Sequence, residues 1–475
     1  MPTSTGPDCL SRASGALRCG PAREWGPRGS TPSHALAILG FVLSLLAVAA
    51  QSEPLDKLLA TPDGLWSIPA DGFLTPERAP YFRWLSADKQ DAVRYPGYAN
   101  SPPLTFLDMT VYEAVLRFTD GRLGKLEISV FNRGDAGAVR EKDLFEGFVN
   151  GVQQRISAWV GSPGQEVGKQ RLVANLTVRQ RNWAQDTVAL HLIWSWSKKA
   201  NEGFRAEYVQ IELVPAGNEG NTKPDRVNLD VTQSRKESQT RVRREANGDV
   251  FVDGVPMVDQ GPNRGYCAAA TAERILRYLG ADVNQHMIAQ MADSQADQGT
   301  DSEAFLRMLK RAGVKMGFSL KEHITLDAVT FLQSIDRYNA LAKRKKAPQV
   351  NVPRGGVVVV SDIFRQLDPR IFLEMKTTRE KSDYRAFLST VSHQVQDGIP
   401  LAWSVYLGLY PEENTPAQAQ GGHLRIIIGF NPTAREIIYT DSWGQGHEFK
   451  RMPMDNAWAM TTGLSSFEPH GGRSK

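Results

Sequence analysis

Cysteine is scarce. The chain has 475 residues and three cysteines, and two of these, Cys9 and Cys19, come before its first long apolar run. Beyond that run only Cys267 remains, which excludes an intramolecular disulfide there and the clustered cysteines of a structural zinc site. Charge of one sign is scarce too. The formal net charge is +4 with 23% charged residues, and four arginines against one Asp and one Glu in the first fifty residues supply half of it. So small a balance excludes a global basic or acidic signature, and nucleic acid is not expected as a partner. Long apolar runs are limited to one, His34 to Ala50, reading HALAILGFVLSLLAVAA. No internal repeat is present.

That run follows an arginine-bearing region and closes on small residues, the pattern of a secretory signal peptide over residues 1–50, with cleavage after Ala49 or Ala50. An uncleaved anchor is the competing reading, but the run falls short of the roughly 20 residues a membrane span needs. The mature protein is therefore expected outside the cytoplasm, secreted or periplasmic, and off the membrane unless the signal stays uncleaved. A lone thiol in an oxidising compartment is open to oxidation, so its presence is better explained by use than by packing.

Apolar content of 41% is ordinary for a globular protein. Residues 51–215 read as a small α+β domain. Val111 to Phe131 alternates on both sides of Asp120-Gly121, a hairpin signal. Ala138 to Val160 has helical spacing, and three strand-like runs follow at Arg171–Arg179, Thr187–Ser197 and Phe204–Val214. Trp194 and Trp196 share a face and read as sheet aromatics. Residues 216–247 are polar and charged and read as a linker, in which Arg241 to Arg244 is a candidate processing site. Residues 248–470 form a second domain with helices at Val283–Ala292, Ser302–Ala312, Leu326–Lys343 and Tyr384–Gln396. Strands are expected at Gly356–Val360, Ile399–Tyr406, His423–Phe430 and Arg435–Thr440. Helices packed on an antiparallel sheet make this half α+β as well.

The chemistry concentrates in two places. In Gln260-Gly261-Pro262-Asn263-Arg264-Gly265-Tyr266-Cys267, a loop runs into an alanine-rich helix that ends at Gly280. That sets the thiol at a helix N-terminus, where a thiolate is stabilised, and an exposed sulfur is expected. Gln260 can offer an amide to a developing oxyanion. The second place is a hairpin about Asn431-Pro432-Thr433-Ala434. Its register brings paired positions to a sum near 865, so His423 on the first strand meets Asp441 at the end of the second. The carboxylate can then orient the imidazole and stabilise its charged form. Of the other histidines, His286 and His393 read as lying on polar helix faces, His323 in a loop, and His191 as structural; His447 remains a candidate.

Asp441-Ser442-Trp443-Gly444 resembles the Asn-Ser-Trp-Gly motif of papain-like cysteine peptidases, with Asp in place of Asn. Gln260-Gly261 before Cys267, and Gly422-His423 before an apolar strand, match the same clan in the same order. The Gln-Gly-Pro opening, the Tyr-Cys-Ala-Ala-Ala run and the aspartate most resemble the bacteriocin-processing, double-glycine-leader peptidases. Papain's own Cys-Gly-Ser-Cys-Trp signature is missing, as are the transporter domains that accompany leader-processing enzymes. The resemblance covers about 250–450. It implies a papain-like fold and a peptide or protein substrate. It makes Cys267 the nucleophile, His423 the base and acid, Asp441 its orienting partner, and Gln260 with the Cys267 N–H the oxyanion hole. Trp443, Gly265 and Gly422 would line or shield the substrate cleft. No metal or cofactor is implied. A transglutaminase-like acyltransferase would use the same three residues, and a silent binding module of the same fold is the non-enzymatic alternative. Neither substrate preference nor oligomeric state follows from the residues.

Overall fold

The computed structural model describes residues 52–94, 102–171, 176–185, 187–199, 203–217, 230–261, 264–294, 300, 302–352, 359–416 and 421–470. The expected signal segment 1–50 and residues 218–229 of the expected linker lie outside them. Among the described residues no helix is long and apolar enough to cross a membrane.

Asp120 and Gly121 both have positive φ, 51° and 72°, the tight reversal expected from their types. They join two strands of an eight-stranded antiparallel sheet. In chain order its strands are β1 (Arg83–Trp84), β2 (Asp91–Arg94), β3 (Glu113–Thr119), β4 (Arg122–Asn132), β5 (Gln165–Arg171), β6 (Leu176–Ala184), β7 (Val188–Lys199) and β8 (Gly203–Pro215). They lie side by side as β1-β2-β3-β4-β8-β7-β6-β5. Among the described residues of this half one helix is long, α1 (Lys142–Val160), and it buries Phe145, Val149, Val152 and Ile156 at helical spacing. These pack with Ile128, Val130, Val209 and Ile211 of the sheet. The half is α+β, as expected, with a wider sheet than one hairpin and three strands. Trp194 is buried in this core and Trp196 packs at its margin, while His191 bonds to Asn182 through Nδ1 at 2.9 Å.

The expected linker is structured where it is described. Ser234 and Glu237 form a reciprocal capping box on α2 (Arg235–Thr240), and β9 (Val242–Arg244) pairs with β10 (Val250–Val252). The candidate processing site at Arg241 to Arg244 thus has its backbone in a ladder, whereas a protease takes hold of an unpaired, extended chain.

The C-terminal half is also α+β. Its helices include α3 (Cys267–Tyr278), α4 (Gln285–Met291), α5 (Ser302–Met316), α6 (Ala328–Arg344), α7 (Pro369–Arg379) and α8 (Lys381–Gln396). Its further strands are β11 (Phe318–Thr325), β12 (Leu401–Leu407), β13 (Gly421–Asn431), β14 (Glu436–Thr440), β15 (Lys450–Pro453) and β16 (Thr461–Pro469). The sheet runs β9-β10-β13-β12-β16-β11, with β14 pairing β13 and β15 beyond it. Strands do not all come last: β11 lies between helices and pairs with β16. His323 is on β11, its Nε2 at 2.8 Å from Ser466 Oγ, not in a loop. The valine-rich run expected as a strand at Gly356–Val360 differs too. Its first residues lie outside the described set, and Val360 opens the short helix Val360–Phe364.

The two halves meet over a buried polar seam. Asn284 donates to Gln210 Oε1 at 2.9 Å, Ser195 to Gln290 Oε1 at 2.6 Å, and Arg277 to Asp91 at 3.0 Å. His286, expected on a polar helix face, is buried here beside Glu113 at 3.2 Å.

Candidate active site

Cys267 is the first residue of α3, and Tyr266 before it supplies no side-chain cap. The helix forms because Ala268, Ala269, Ala272, Ile275 and Leu276 give it an apolar face, all of them buried. Gly280, at φ 86°, ends it. A second stripe, at spacings of four, three and four from Cys267, makes the polar contacts. Thr271 Oγ1 donates to the carbonyl of Leu424 at 3.0 Å, beside His423. Arg274 donates to the carbonyls of Pro256 and Asp441, both at 2.8 Å, and to Thr440 Oγ1 at 2.6 Å. Tyr278 reaches Gly398 O at 2.8 Å. The helix carrying the thiol is thereby fastened to the strands carrying the histidine and the aspartate.

The hairpin register is slightly longer than expected. Ile426 pairs with Thr440 and Ile427 with Tyr439, and a bulge then shifts the pairing to Gly429 with Ile438. Extended toward its open end, this register sets Asp441 across from Arg425, one pleat along from His423 on the same face. The side chains still meet: His423 Nε2 lies 3.0 Å from Asp441 Oδ1. That leaves Nδ1 for the thiol, and a Cys267 hydrogen bond is among the interactions that act on His423. The sulfur expected to be exposed is nearly covered: Cys267 is 5% exposed, His423 6% and Asp441 0%.

Burial works against a charged His423, yet Asp441 and then Cys267 outweigh it and hold the imidazole above its usual 6.5. Burial likewise works against an ionised Asp441, but Arg425, His423 and Lys450 together keep its carboxyl well below 3.8. Arg425 Nε is 3.6 Å from Oδ1 and Lys450 Nζ 3.2 Å from Oδ2. Arg425 is in turn paired with Glu412 at 2.7 Å. The carboxylate therefore stays ionised and hydrogen-bonded, able to fix the imidazole tautomer.

Gln260 belongs to the same cluster through the Asp-Ser-Trp-Gly segment. Its N–H donates to Ser442 O at 2.8 Å, and its Oε1 accepts from Ser442 Oγ at 2.9 Å. With the oxygen so held, the amide turns its Nε2 donor away from Ser442. Asp259 bridges Trp443 in an antiparallel pair. Gly444, at φ 76°, is required where it stands, since a Cβ there would lie 3.0 Å from Asp259 Oδ2. Trp443 stacks on His423 with ring centres 4.6 Å apart and planes at 14°, covering one face of the imidazole. His447 contacts the edge of Trp443 at 5.4 Å, and its carbonyl accepts from the Asp441 N–H at 3.0 Å; it supports the cluster from behind. Gly265 has φ 65° just before the helix. Gly422 pairs with Tyr406 next to His423.

Thr271, Arg274, Arg425, Lys450 and Ser442 escaped the sequence reading. Arg274 carries one visible signal, its place seven positions after the cysteine and so on the same helix face. Ser442 sits inside the motif itself. Among the described residues no group of three or more His, Cys, Asp or Glu is placed to hold a metal.

A search of curated proteins returns no match to this chain. The model of the Peptidase_C39 like family matches residues 372–466, a stretch that contains His423 and Asp441 and stops short of Cys267 and Gln260. The part of the chain that carries the histidine and the aspartate is thus similar to a C39-like family of papain-like cysteine peptidases.

Proposed function

We propose that the protein is an exported cysteine peptidase with a papain-like catalytic half, residues 248–470, an accessory half, residues 51–215, and a signal peptide removed from 1–50. One observation carries the proposal: a continuous chain from Asp441 through His423 to Cys267, with Nε2 at 3.0 Å from the carboxylate and the other nitrogen left for the thiol. A structural histidine has no need of a buried carboxylate on one side and a helix-terminal thiol on the other.

His423 takes the proton of Cys267, and the thiolate attacks the carbonyl carbon of the scissile peptide. The oxyanion that forms is met by Gln260 Nε2 and the Cys267 N–H. As the tetrahedral species collapses, the C–N bond breaks and the imidazolium gives its proton to the departing amine. Water then attacks the thioester and transfers a proton to His423. The C–S bond breaks, and the proton returns to sulfur. Asp441 keeps Nε2–H directed at itself throughout, and Trp443 keeps water off that bond.

Cleavage profiling on peptides made from a whole proteome tests the activity. Wild type should produce a defined set of new termini that Cys267→Ala does not. The same termini from both proteins would end the proposal.

A further inference from the structure

We propose that Arg264, gripped by Glu113 and Asp135 of the N-terminal half, is a positioning residue that sets Gln260 against Cys267, so that the N-terminal sheet is a working part of the site. The inference rests on the peptidase reading above and goes beyond it: nothing in that reading requires the first half of the chain.

In the sequence Arg264 lies between Gln260 and Cys267, and its side chain is 0% exposed. Nη1 donates to Glu113 Oε2 at 2.5 Å and Nε to Asp135 Oδ1 at 2.8 Å, while Nη2 donates to the second oxygen of Asp135. Glu113 is on β3, and Asp135 lies just past β4, where Asn132 Nδ2 donates to it at 2.9 Å. One planar guanidinium therefore ties the catalytic loop to two places on the other half through forked bonds. Glu113 resists burial because Arg264 and then His286 outweigh it, and its carboxyl stays down at about 2. Glu113 therefore meets the Arg264 guanidinium as a carboxylate.

The loop is built around this side chain. Gly261 has φ 74°, and a Cβ there would be 3.0 Å from the Arg264 guanidinium. Its N–H donates to Asp259 Oδ1 at 2.8 Å. The other oxygen of Asp259 accepts from Arg83 of β1 at 2.6 Å. On the far side, the Tyr266 hydroxyl packs against Gly134 so closely that a Cβ there would be 2.9 Å away. Asp259 before Gln260, and Arg264 and Tyr266 before Cys267, are thus each held by the N-terminal half. A shift of roughly 1 Å between donor and nucleophile can cost about a hundredfold in rate.

The test compares two reactions at Cys267, read by mass on the peptide that contains it. Alkylation by iodoacetamide needs the thiolate and His423 but no oxyanion donor. Acylation by para-nitrophenyl acetate needs all three. Gln260→Ala should slow acylation by about 10²–10³-fold and leave alkylation near wild type. Arg264→Lys keeps the charge but loses the fork, and should slow acylation about tenfold or more with alkylation again near wild type. The double variant should be no slower than Gln260→Ala alone, because Arg264 acts through Gln260. Should Arg264→Lys not fold, the near-isosteric Asp135→Asn carries the same comparison. Losses that multiply in the double variant, acylation unchanged in Arg264→Lys, or acylation and alkylation falling together would each overturn the clamp while leaving the peptidase reading intact. A wild-type Cys267 that does not acylate at all would overturn both.

Discussion

Arg274 donates Nη1 to the carbonyl oxygen of Asp441 at 2.8 Å. Seven residues separate Arg274 from Cys267, so one helix face holds both the thiol and the anchor of the aspartate. The distance between Cys267 and Asp441 is set by that helix as much as by the hairpin.

Arg274→Met should therefore act on stability and on the site together. It leaves two carbonyls and the Thr440 hydroxyl without their donor in a buried setting, and each orphaned acceptor costs roughly 1–3 kcal/mol. Denaturant unfolding should show a lower midpoint with an unchanged slope. The milder Thr271→Val, which removes only the bond to Leu424 O, should cost about 1 kcal/mol.

The pH dependence of peptide cleavage follows from His423. Its folded value is raised above 6.5, so the imidazolium persists there and is lost only at higher pH. The rate of cleavage, which needs that proton for the departing amine, should accordingly hold on the alkaline side of 6.5 for as long as the imidazolium lasts. In Asp441→Ala the largest favourable partner is gone and burial dominates, so this limb should move down. The same groups set stability with opposite signs. The His423 contribution is full below 6.5 and fades as pH rises through its folded value. That of Asp441 is full above 3.8 and fades as pH falls through its depressed one. An alkaline limb that ignores Asp441→Ala would contradict the assignment.

Trp443 stacks on the imidazole and is approached by Lys450 Nζ at 5.6 Å. Replacing it with Ala removes an aromatic face from a charged ring, worth roughly 1 kcal/mol, and opens the His423–Asp441 bond to water. Acylation should slow about fivefold to tenfold at that magnitude, and Trp443→Phe should recover most of it. Steady-state kinetics with an activated ester would show whether the loss lies in turnover or in binding.

The grouping of Cys267, His423 and Asp441 was legible in the sequence where the signals are local. A Gly-bearing loop running into an alanine-rich helix needs no distant partner to be recognised, and a four-residue turn between apolar strands fixes a register to within a residue or two. Thr271 and Arg274 were hidden because their acceptors are backbone carbonyls more than 150 positions away or on another element. The β11–β16 pairing was hidden for the same reason. Charged Lys321 and Glu322 break its alternation, and its partner Ser466 is far along the chain.

The N-terminal sheet misleads in a different way. Glu127, Ser129 and Gln210 alternate with apolar neighbours, a pattern that usually means one face in water. All three are buried, because the second half covers that face with α3 and α4. Partners such as Arg117 on Glu127 and Asn284 on Gln210 satisfy them. The Ser234–Glu237 capping box, by contrast, was readable as four letters and was lost only because the surrounding segment is so charged.

The most direct test of the central claim is a single-turnover reaction of the full protein with an activated peptidyl ester, quenched in acid and weighed intact. One acyl group per chain should appear, map to Cys267, and vanish on further incubation with water. It should be absent in Cys267→Ala and strongly slowed in His423→Ala. An adduct of equal yield in wild type and Cys267→Ala, or one mapped to another residue, would contradict the account.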